Sequence, residues 1–295
     1  MEGTQGLKSA PGPETQTGPR RHIVDVLIEE RARELRHNPV AWGLIRALLY
    51  PLLKYREAIA MADRIGTLPA RATFDYVTDL LDMRLEVEGL EHVPREGPCV
   101  LVANHPTGIA DGLALYQALR GVRGDLRFLA NRDALRVSPG LAEMLVPVEW
   151  VVEKRSLAKT REMWRQAKGA LRQGQMVVMF PSGRVAQLRG GRLVDRPWHD
   201  TTITMARRND APIVPLHIAG WNSWIYYFFA KVREELRDMT LFNELFNKRG
   251  QAFRLTFGPV IPHQELPGDP AVEIERLRRH IEIELPAGRL WPPAV

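Results

Sequence analysis

Three short apolar runs constrain the fold of this chain more than any other feature. They cover residues 99–103, 176–180 and 213–218, and hydrophobic side chains occupy nearly every position in them. A strand without polar alternation has to be buried on both faces, which is typical of parallel sheets covered by helices. Helical patterns separate the three runs along the chain. They therefore predict an α/β fold with a mixed, largely parallel sheet flanked by helices.

The weaker patterns divide the chain into three parts. Residues 1–20 are rich in Gly, Pro, Thr and Gln, which predicts a disordered tail, and they lack the apolar core of a signal peptide. Residues 21–83 show only helical patterns, and residues 84–295 form the predicted α/β domain. In that domain we expect further strands at 84–87, 126–130, 148–152 and 253–257, and helices near 112–119 and 141–145 and over 157–173.

The first apolar run ends at Asn104 and His105, and Asp111 follows in the same loop. An aspartate beside a histidine accepts the Nδ1 proton, fixes the tautomer and leaves Nε2 free as a general base toward a hydroxyl. Pro106 removes a backbone donor and Gly108 permits a positive φ angle, so the loop can fold back on itself. We therefore predict that His105 and Asp111 form a catalytic pair.

A second polar loop follows the apolar run at 176–180. It contains Ser182, Gly183 and Arg184. The loops at the carboxyl ends of parallel strands share one crevice in α/β sheets. We therefore expect this loop and the His105 loop to line a common site.

These motifs resemble those of the glycerolipid and lysophospholipid acyltransferase family. The resemblance rests on Asn104-His105 with its downstream Asp111, on the Phe-Pro-x-Gly loop and on the Val-Pro strand that ends at Gly220, and it covers about residues 85–262. It implies that His105 deprotonates an acceptor hydroxyl, which attacks the thioester of acyl-CoA or acyl carrier protein. Asp111 would orient the histidine, and backbone N–H groups near Gly108 or Gly183 would stabilise the oxyanion.

The resemblance also implies an acceptor-binding side of the site. Asn104 and Gly108 lie in the catalytic loop, and Ser182, Gly183 and Arg184 occupy the acceptor loop. Arg155 lies where the family has a middle motif with an acceptor-binding arginine, although an ordinary solvent-exposed arginine fits the sequence equally well.

Two departures from the family pattern bear on the acceptor. Pro106 to Ala110 places five residues between histidine and aspartate, one more than is usual, and a bulge at Gly108 is expected to absorb it. Serine replaces the usual glutamate at Ser182, and Val185 stands where the family has a phosphate-binding arginine. A hemolysin-like branch that includes ornithine-lipid acyltransferases shares the longer loop and the Gly220–Ser223 motif. Its acceptor carries the hydroxyl on a lyso-lipid without glycerol phosphate.

The N-terminal helical region predicts a membrane-facing segment. Residues 41–56 are apolar with Trp42, Tyr50 and flanking basic residues, and they are too short to span a bilayer, for which about 20 residues are needed. Such a helix lies in the membrane interface or packs on its own domain, and the sequence favours neither. The aromatic stretch 221–231 either lines an acyl-chain tunnel or joins the same surface.

The composition limits the partners and the location. Forty-one basic and 35 acidic residues give a net charge of +6, which favours anionic partners such as lipid headgroups or acyl carrier protein. No basic run is interleaved with stacking aromatics, so nucleic acid is not expected. The single cysteine, Cys99, is expected to fill the core of a protein in a reducing compartment. We expect a peripheral protein on the cytoplasmic, inner face of a membrane.

The sequence thus predicts a lipid-biosynthetic acyltransferase that moves an acyl group from acyl-CoA or acyl carrier protein to a lyso-lipid hydroxyl. Lyso-ornithine lipid and lysophospholipids are the expected acceptors. No metal-ligand motif or nucleotide fingerprint is present in the sequence, so no cofactor or metal is expected. Two alternatives remain: an inactive lipid-binding protein of the same fold, and a hydrolase in which His105 activates water.

Overall fold

A computed structural model describes residues 21–149 and 154–291; the predicted tail at 1–20 and positions 150–152 of a predicted strand lie outside these ranges. The helices are α1 (Ile23–Arg31), α2 (Pro39–Leu52), α3 (Tyr55–Ile65), α4 (Ala70–Leu81), α5 (Ile109–Leu119), α6 (Asp133–Val137), α7 (Leu157–Arg172), α8 (Thr201–Arg208), α9 (Trp224–Val232), α10 (Glu234–Met239), α11 (Leu241–Phe246) and α12 (Pro270–Arg279). The strands are β1 (Arg84–Glu88), β2 (Cys99–Ala103), β3 (Leu126–Asn131), β4 (Leu145–Val148), β5 (Met176–Met179), β6 (Gln187–Arg189), β7 (Arg192–Val194), β8 (Ile213–Ala219) and β9 (Ala252–Phe257).

The main sheet has seven strands in the order β1-β9-β8-β2-β5-β3-β4, and β6 and β7 form a separate hairpin. Every neighbouring pair in the main sheet is parallel except β8 and β9. The prediction of an α/β fold with a mixed, largely parallel sheet is confirmed. The carboxyl ends of β2, β5 and β8 consequently lie at one edge of the sheet, where ligands bind in folds of this kind.

The central strand β2 is buried on both faces. Its side chains alternate between two hydrophobic clusters: Cys99, Leu101 and Ala103 belong to the cluster that includes α4 and α5, and Val100 and Val102 belong to the one that includes α7, α8 and α12. This explains the uninterrupted apolar run in the sequence, because each residue needs an apolar partner whichever way it points.

The N-terminal helices share the larger of these two clusters. Val24, Trp42, Tyr50 and Met61 are all buried in it together with residues of the sheet. Helix α2 begins at Pro39 and is capped by Asn38. The side chain of Asn38 accepts hydrogen bonds from the backbone N–H groups of the second and third helical residues. The sequence left two alternatives open for this helix. For Trp42 and Tyr50 packing on the domain is correct, because both rings are buried, and their expected role as interfacial aromatics is wrong.

Several local predictions differ from the structure. The helix expected at 141–145 is a short 3₁₀ segment at Pro139–Glu143, because Ser138-Pro139-Gly140 breaks the chain there. The strand expected from residue 148 already runs over Leu145–Val148. Helices α6 and α8 to α12 and the β6–β7 hairpin were not predicted, since these elements are short.

One buried arginine joins the amino-terminal ends of three strands. Arg123 donates hydrogen bonds to the carbonyl oxygens of Pro94, Gly97 and Gly174 and to both carboxylate oxygens of Asp125. Gly97 precedes β2, Gly174 precedes β5 and Asp125 precedes β3. The guanidinium therefore fixes the edge of the sheet opposite the carboxyl ends of these strands.

We expect Arg123→Ala to lower the free energy of unfolding by about 2–4 kcal/mol, because it removes a buried side chain and leaves three partly buried carbonyls and the Asp125 carboxylate without their donor. Urea denaturation measures this loss. Arg120→Ala serves as the control. Its side chain is 41% exposed, and among the residues that the structure describes it forms ion pairs only with Asp75 and Asp79, so the loss should stay below about 1 kcal/mol. Equal losses for the two variants would contradict the assignment.

Candidate active site

The loop between β2 and α5 brings His105 and Asp111 into contact. His105 Nδ1 lies 2.9 Å from Asp111 Oδ2. The same oxygen accepts the backbone N–H groups of Thr107 and Gly108, each at 2.9 Å, and Oδ1 accepts the Thr107 hydroxyl. Asp111 is fully buried in the first turn of α5, where the helix dipole favours a carboxylate.

These contacts determine the tautomer of His105. Two N–H groups already point at Asp111 Oδ2, so this oxygen acts as an acceptor and the imidazole donates through Nδ1. Nε2 is then the unprotonated nitrogen, and within the described part of the chain it has no hydrogen-bond partner. The imidazole therefore presents a basic lone pair to any hydroxyl brought to it.

Gly108 has the positive φ angle that the sequence predicted for it. Its φ of 95° and ψ of −127° belong to a region that only glycine occupies without strain. A Cβ at this position would also lie 3.2 Å from Val185 Cγ2. The conformation places the Gly108 N–H on Asp111 at the start of α5.

Phe180, at the end of β5, covers one face of the imidazole. The two ring centroids are 4.4 Å apart with an interplanar angle of 26°. Phe180 also lines a cleft of about 200 Å³ at the carboxyl ends of β3, β4 and β5. The apolar wall of the cleft includes Leu129, Val148, Met163, Met179 and Pro181. Phe180 thus contacts the imidazole and also lines the cleft.

The structure places the other predicted site residues in different settings. Arg155 and Gly183 line the cleft together with Lys159, whereas the exposed Arg184 does not. Ser182 is buried, and its hydroxyl donates to the carbonyl of Arg184, which shapes the loop. Their roles in acceptor binding stay predictions.

The side-chain amide of Asn104 is hydrogen-bonded within the protein. Its amide nitrogen donates to the carbonyl of Ile218, and its oxygen accepts the Ile218 N–H. This double hydrogen bond joins the end of β2 to β8 and fixes the origin of the catalytic loop. A contact between this amide and a substrate stays a prediction.

The two expected oxyanion donors are already bound within the protein. The Gly108 N–H donates to Asp111, and the Gly183 N–H donates to the carbonyl of Phe180 at 2.9 Å. A developing oxyanion could recruit either group only by breaking a hydrogen bond that shapes its loop. This arrangement does not favour the expected role of these two groups.

Two contributions to the site were missed in the sequence. Thr107 supplies two of the four hydrogen bonds to Asp111, and it could have been found as a hydroxyl residue one turn before an acidic residue at a helix start. Asp195, after β7, accepts the backbone N–H of His105. No sequence signal connects these two residues, because they are 90 positions apart.

The Gly220–Ser223 motif meets the segment around Glu244 in a buried polar cluster. Ser223 donates through its backbone and its hydroxyl to Glu244, and the ammonium of Lys248 donates to Asn222 Oδ1 at 2.9 Å. Burial lowers the pKa of Lys248, and the nearby Glu244 and Asp111 carboxylates oppose this effect. The cluster fixes the start of α9 beside the catalytic loop.

Comparisons with known proteins show the class to which this chain belongs. A family model described as Acyltransferase matches residues 84–219. The lyso-glycine lipid O-acyltransferase of Phocaeicola vulgatus is 31% identical over 193 residues, which are 63% of this chain and 67% of that protein. The protein of the same name from Bacteroides thetaiotaomicron is also 31% identical over 193 residues, 63% of this chain and 69% of that one.

Among solved structures, the chain matches the 1-acyl-sn-glycerophosphate (LPA) acyltransferase PlsC from Thermotoga maritima. The identity is 14%, the match covers 90% of this chain and 97% of that one, and the TM-score is 0.44. The family model and the two sequence relatives together establish the class: the chain belongs to the acyltransferase family. The resemblance inferred from the motifs is confirmed.

We expect Gly108→Ala to destabilise the protein by about 1–3 kcal/mol, because alanine is strained at this φ and its Cβ meets Val185. Thermal unfolding measures the effect. Gly121→Ala is the matched control, since nothing lies within 4 Å of an added Cβ there, and its unfolding temperature should stay close to that of the wild type. The assignment would be contradicted by a Gly108→Ala protein as stable as this control.

Proposed function

We propose that this protein is an O-acyltransferase that moves a fatty acyl group from an acyl thioester to the hydroxyl of a lyso-lipid, with His105 as the general base. The observation that carries the proposal is the hydrogen bond of 2.9 Å between His105 Nδ1 and the buried Asp111. It leaves Nε2 as the free nitrogen of the pair, which is what activation of a hydroxyl requires. Phe180, which lines the apolar cleft, stacks on the same imidazole.

The proposed reaction is a direct transfer. His105 Nε2 takes the proton of the acceptor hydroxyl while the hydroxyl oxygen forms a bond to the thioester carbonyl carbon. The carbon–sulfur bond then breaks, and the imidazolium returns the proton to the leaving thiolate of acyl-CoA or acyl carrier protein. No acyl-enzyme is formed, so the mechanism needs no nucleophilic serine or cysteine. Cys99 is buried, and burial raises the pKa of its thiol to about 11, which makes it a poor nucleophile.

The acceptor proposed is a lyso-lipid without a glycerol phosphate. Two sequence relatives are named as acting on lyso-glycine lipid, and Val185 stands where the resemblance would place a phosphate-binding arginine. Arg155 lines the cleft and offers positive charge to a headgroup carboxylate. Lys159 lies beside it and pairs with Glu149 at 2.7 Å. Lyso-glycine and lyso-ornithine lipids are therefore favoured over lysophosphatidic acid.

The test is a transfer assay with purified protein and either acyl-CoA or acyl carrier protein as donor. The acceptors are lyso-glycine lipid, lyso-ornithine lipid, a lysophospholipid and lysophosphatidic acid, with products identified by mass. We expect His105→Ala to lower kcat at least about a hundredfold, because general-base catalysis contributes on this order. A folded His105→Ala protein with wild-type kcat would refute the role of His105.

The acceptor panel separates the remaining alternatives. A thiol released equally with and without an acceptor would indicate a hydrolase. Transfer to lysophosphatidic acid in preference to both amino-acid lipids would refute the proposed acceptor class. His92→Gln is the control for histidine replacement, since its Nδ1 is bound to the carbonyl of Phe257, and it should retain transfer.

We also propose that the protein works at the surface of a membrane. Four large apolar side chains are exposed at every fourth position of α2, namely Val40, Leu44, Leu48 and Leu52. Trp224, Phe228 and Val232 form a similar exposed stripe on α9. An ion pair of 2.7 Å between Glu34 and Arg233 brings the start of α2 near the end of α9. Within the described ranges, no helix is long and apolar enough to cross a bilayer.

The basic residues near these stripes favour an anionic bilayer as the partner. Arg56 follows α2, and Lys231 precedes the last residue of the α9 stripe; both are exposed. Apolar side chains that enter the headgroup region beside such cations bind the membrane through both burial and charge. The inner face of a membrane rich in anionic lipid, with its reducing cytoplasmic side, is the proposed location.

We expect Val40→Asp to weaken binding to phosphatidylglycerol vesicles about tenfold, because it removes an apolar contact with the bilayer and adds a charge that anionic lipid repels. Vesicle co-sedimentation measures the binding. Val272→Asp is the matched control: Val272 is 59% exposed and Val40 is 74% exposed, and both lie in the first turn of a helix. Equal binding by the two variants would refute the proposed surface.

A further inference from the structure

We propose that Asp195 is a positioning residue for His105, which fixes the main chain of the histidine and stabilises with its negative charge the imidazolium that forms when His105 takes the hydroxyl proton. The inference rests on the proposed role of His105 as the base. Asp195 lies outside the motifs on which the family resemblance rests.

The geometry joins Asp195 directly to the catalytic loop. The N–H of His105 lies 3.2 Å from Asp195 Oδ1 and 3.1 Å from Oδ2, and the Trp198 indole N–H donates to Oδ2 at 3.0 Å. The carbonyl of His105 in turn accepts the N–H of Ala186 at 2.8 Å. The histidine is thus held by its side chain through Asp111 and by its backbone through Asp195.

The surroundings leave the charge of Asp195 without a cationic partner. Its side chain is only 5% exposed, and in the described ranges it forms no ion pair with a lysine or arginine. Glu282, which follows α12, accepts the Asp195 N–H at 3.0 Å and is itself bound by Arg278 of α12. His217 of β8 lines the same cavity, of about 170 Å³.

A positive charge on His105 acts on the Asp195 carboxylate across this contact and lowers its pKa, so an imidazolium at His105 and the ionised carboxylate stabilise each other. Burial raises the pKa of Asp195 to about 7, and the Glu282 carboxylate adds to this rise. A positive charge on His105 and the Trp198 N–H oppose it. Asp195 therefore changes its charge in the pH range in which a histidine base works.

If Asp195 had only a structural role, its ionised form would be expected to stabilise the folded protein. The pKa of Asp195 is higher in the folded than in the unfolded protein, so the folded state binds more protons between about pH 4 and 7, and stability declines as the pH rises through that window. The ionised carboxylate thus costs stability. Its contribution is expected in catalysis, where a developing positive charge appears beside it.

The test compares kcat of wild type and Asp195→Asn from pH 5.5 to 8.5 in the transfer assay. The asparagine resembles the protonated aspartate, so the two rates should agree within about twofold at pH 5.5. Above pH 7 the wild type carries the charge and the variant does not. We therefore expect kcat of the wild type to be about tenfold higher than that of the variant at pH 8.5, with KM changed less than about threefold. A ratio of kcat values independent of pH would overturn the proposal.

Two further variants complete the test. Trp198→Phe keeps the Asp195 carboxylate and removes one hydrogen-bond donor to it. The pH at which kcat rises should therefore increase by about one pH unit. An unchanged midpoint would overturn the proposal even if Asp195→Asn does not fold. Asp200→Asn, an exposed position at the start of α8 without a side-chain cap, should give a ratio near one at every pH.

The outcome also distinguishes this inference from the proposed function. If His105→Ala is inactive while Asp195→Asn matches the wild type at every pH, only the role of Asp195 is wrong. If His105→Ala is active, the base itself is wrong. Thermal unfolding provides the second readout: at pH 8.5 the Asp195→Asn protein should be at least as stable as the wild type, because it lacks the buried charge.

Discussion

The carboxylate of Asp111 is the point on which the site depends. It terminates the catalytic loop, begins helix α5 and orients the imidazole, and its four hydrogen bonds come from three positions of one loop. A buried carboxylate that lost these donors would be costly to keep charged. The loop conformation, the helix start and the histidine tautomer therefore form together.

The sequence predicted the parts of the fold that carry a strong local pattern. The bounds of β2 were predicted correctly because all of its residues need burial, and α7 was predicted to within one residue by its period and the glycine that follows it. The segment at 139–148 was misassigned because a 3₁₀ turn and a short strand share one apolar stretch. The position of Trp42 shows a related difficulty: an aromatic residue in an apolar helix does not reveal which face meets the core.

The same distinction applies to the site. The contact between His105 and Asp111 could be predicted because both residues lie in one loop with a glycine between them. The contact between His105 and Asp195 could not, since a backbone hydrogen bond between distant segments leaves no pattern in either. The occupied N–H groups of Gly108 and Gly183 were equally hidden, because their partners depend on loop geometry. Side-chain chemistry was thus readable from sequence, whereas the use of backbone groups required coordinates.

The side chain of Phe180 has two neighbours that differ in kind, the imidazole of His105 and the cleft that it helps to line. Whatever molecule fills the cleft rests against the same ring that limits how far the histidine can tilt. The side chain of Phe180 therefore affects both the size of the molecule that the cleft can hold and the orientation of the His105 imidazole. A change of this residue that widens the cleft also loosens the base, so the two traits cannot be adjusted separately at this position.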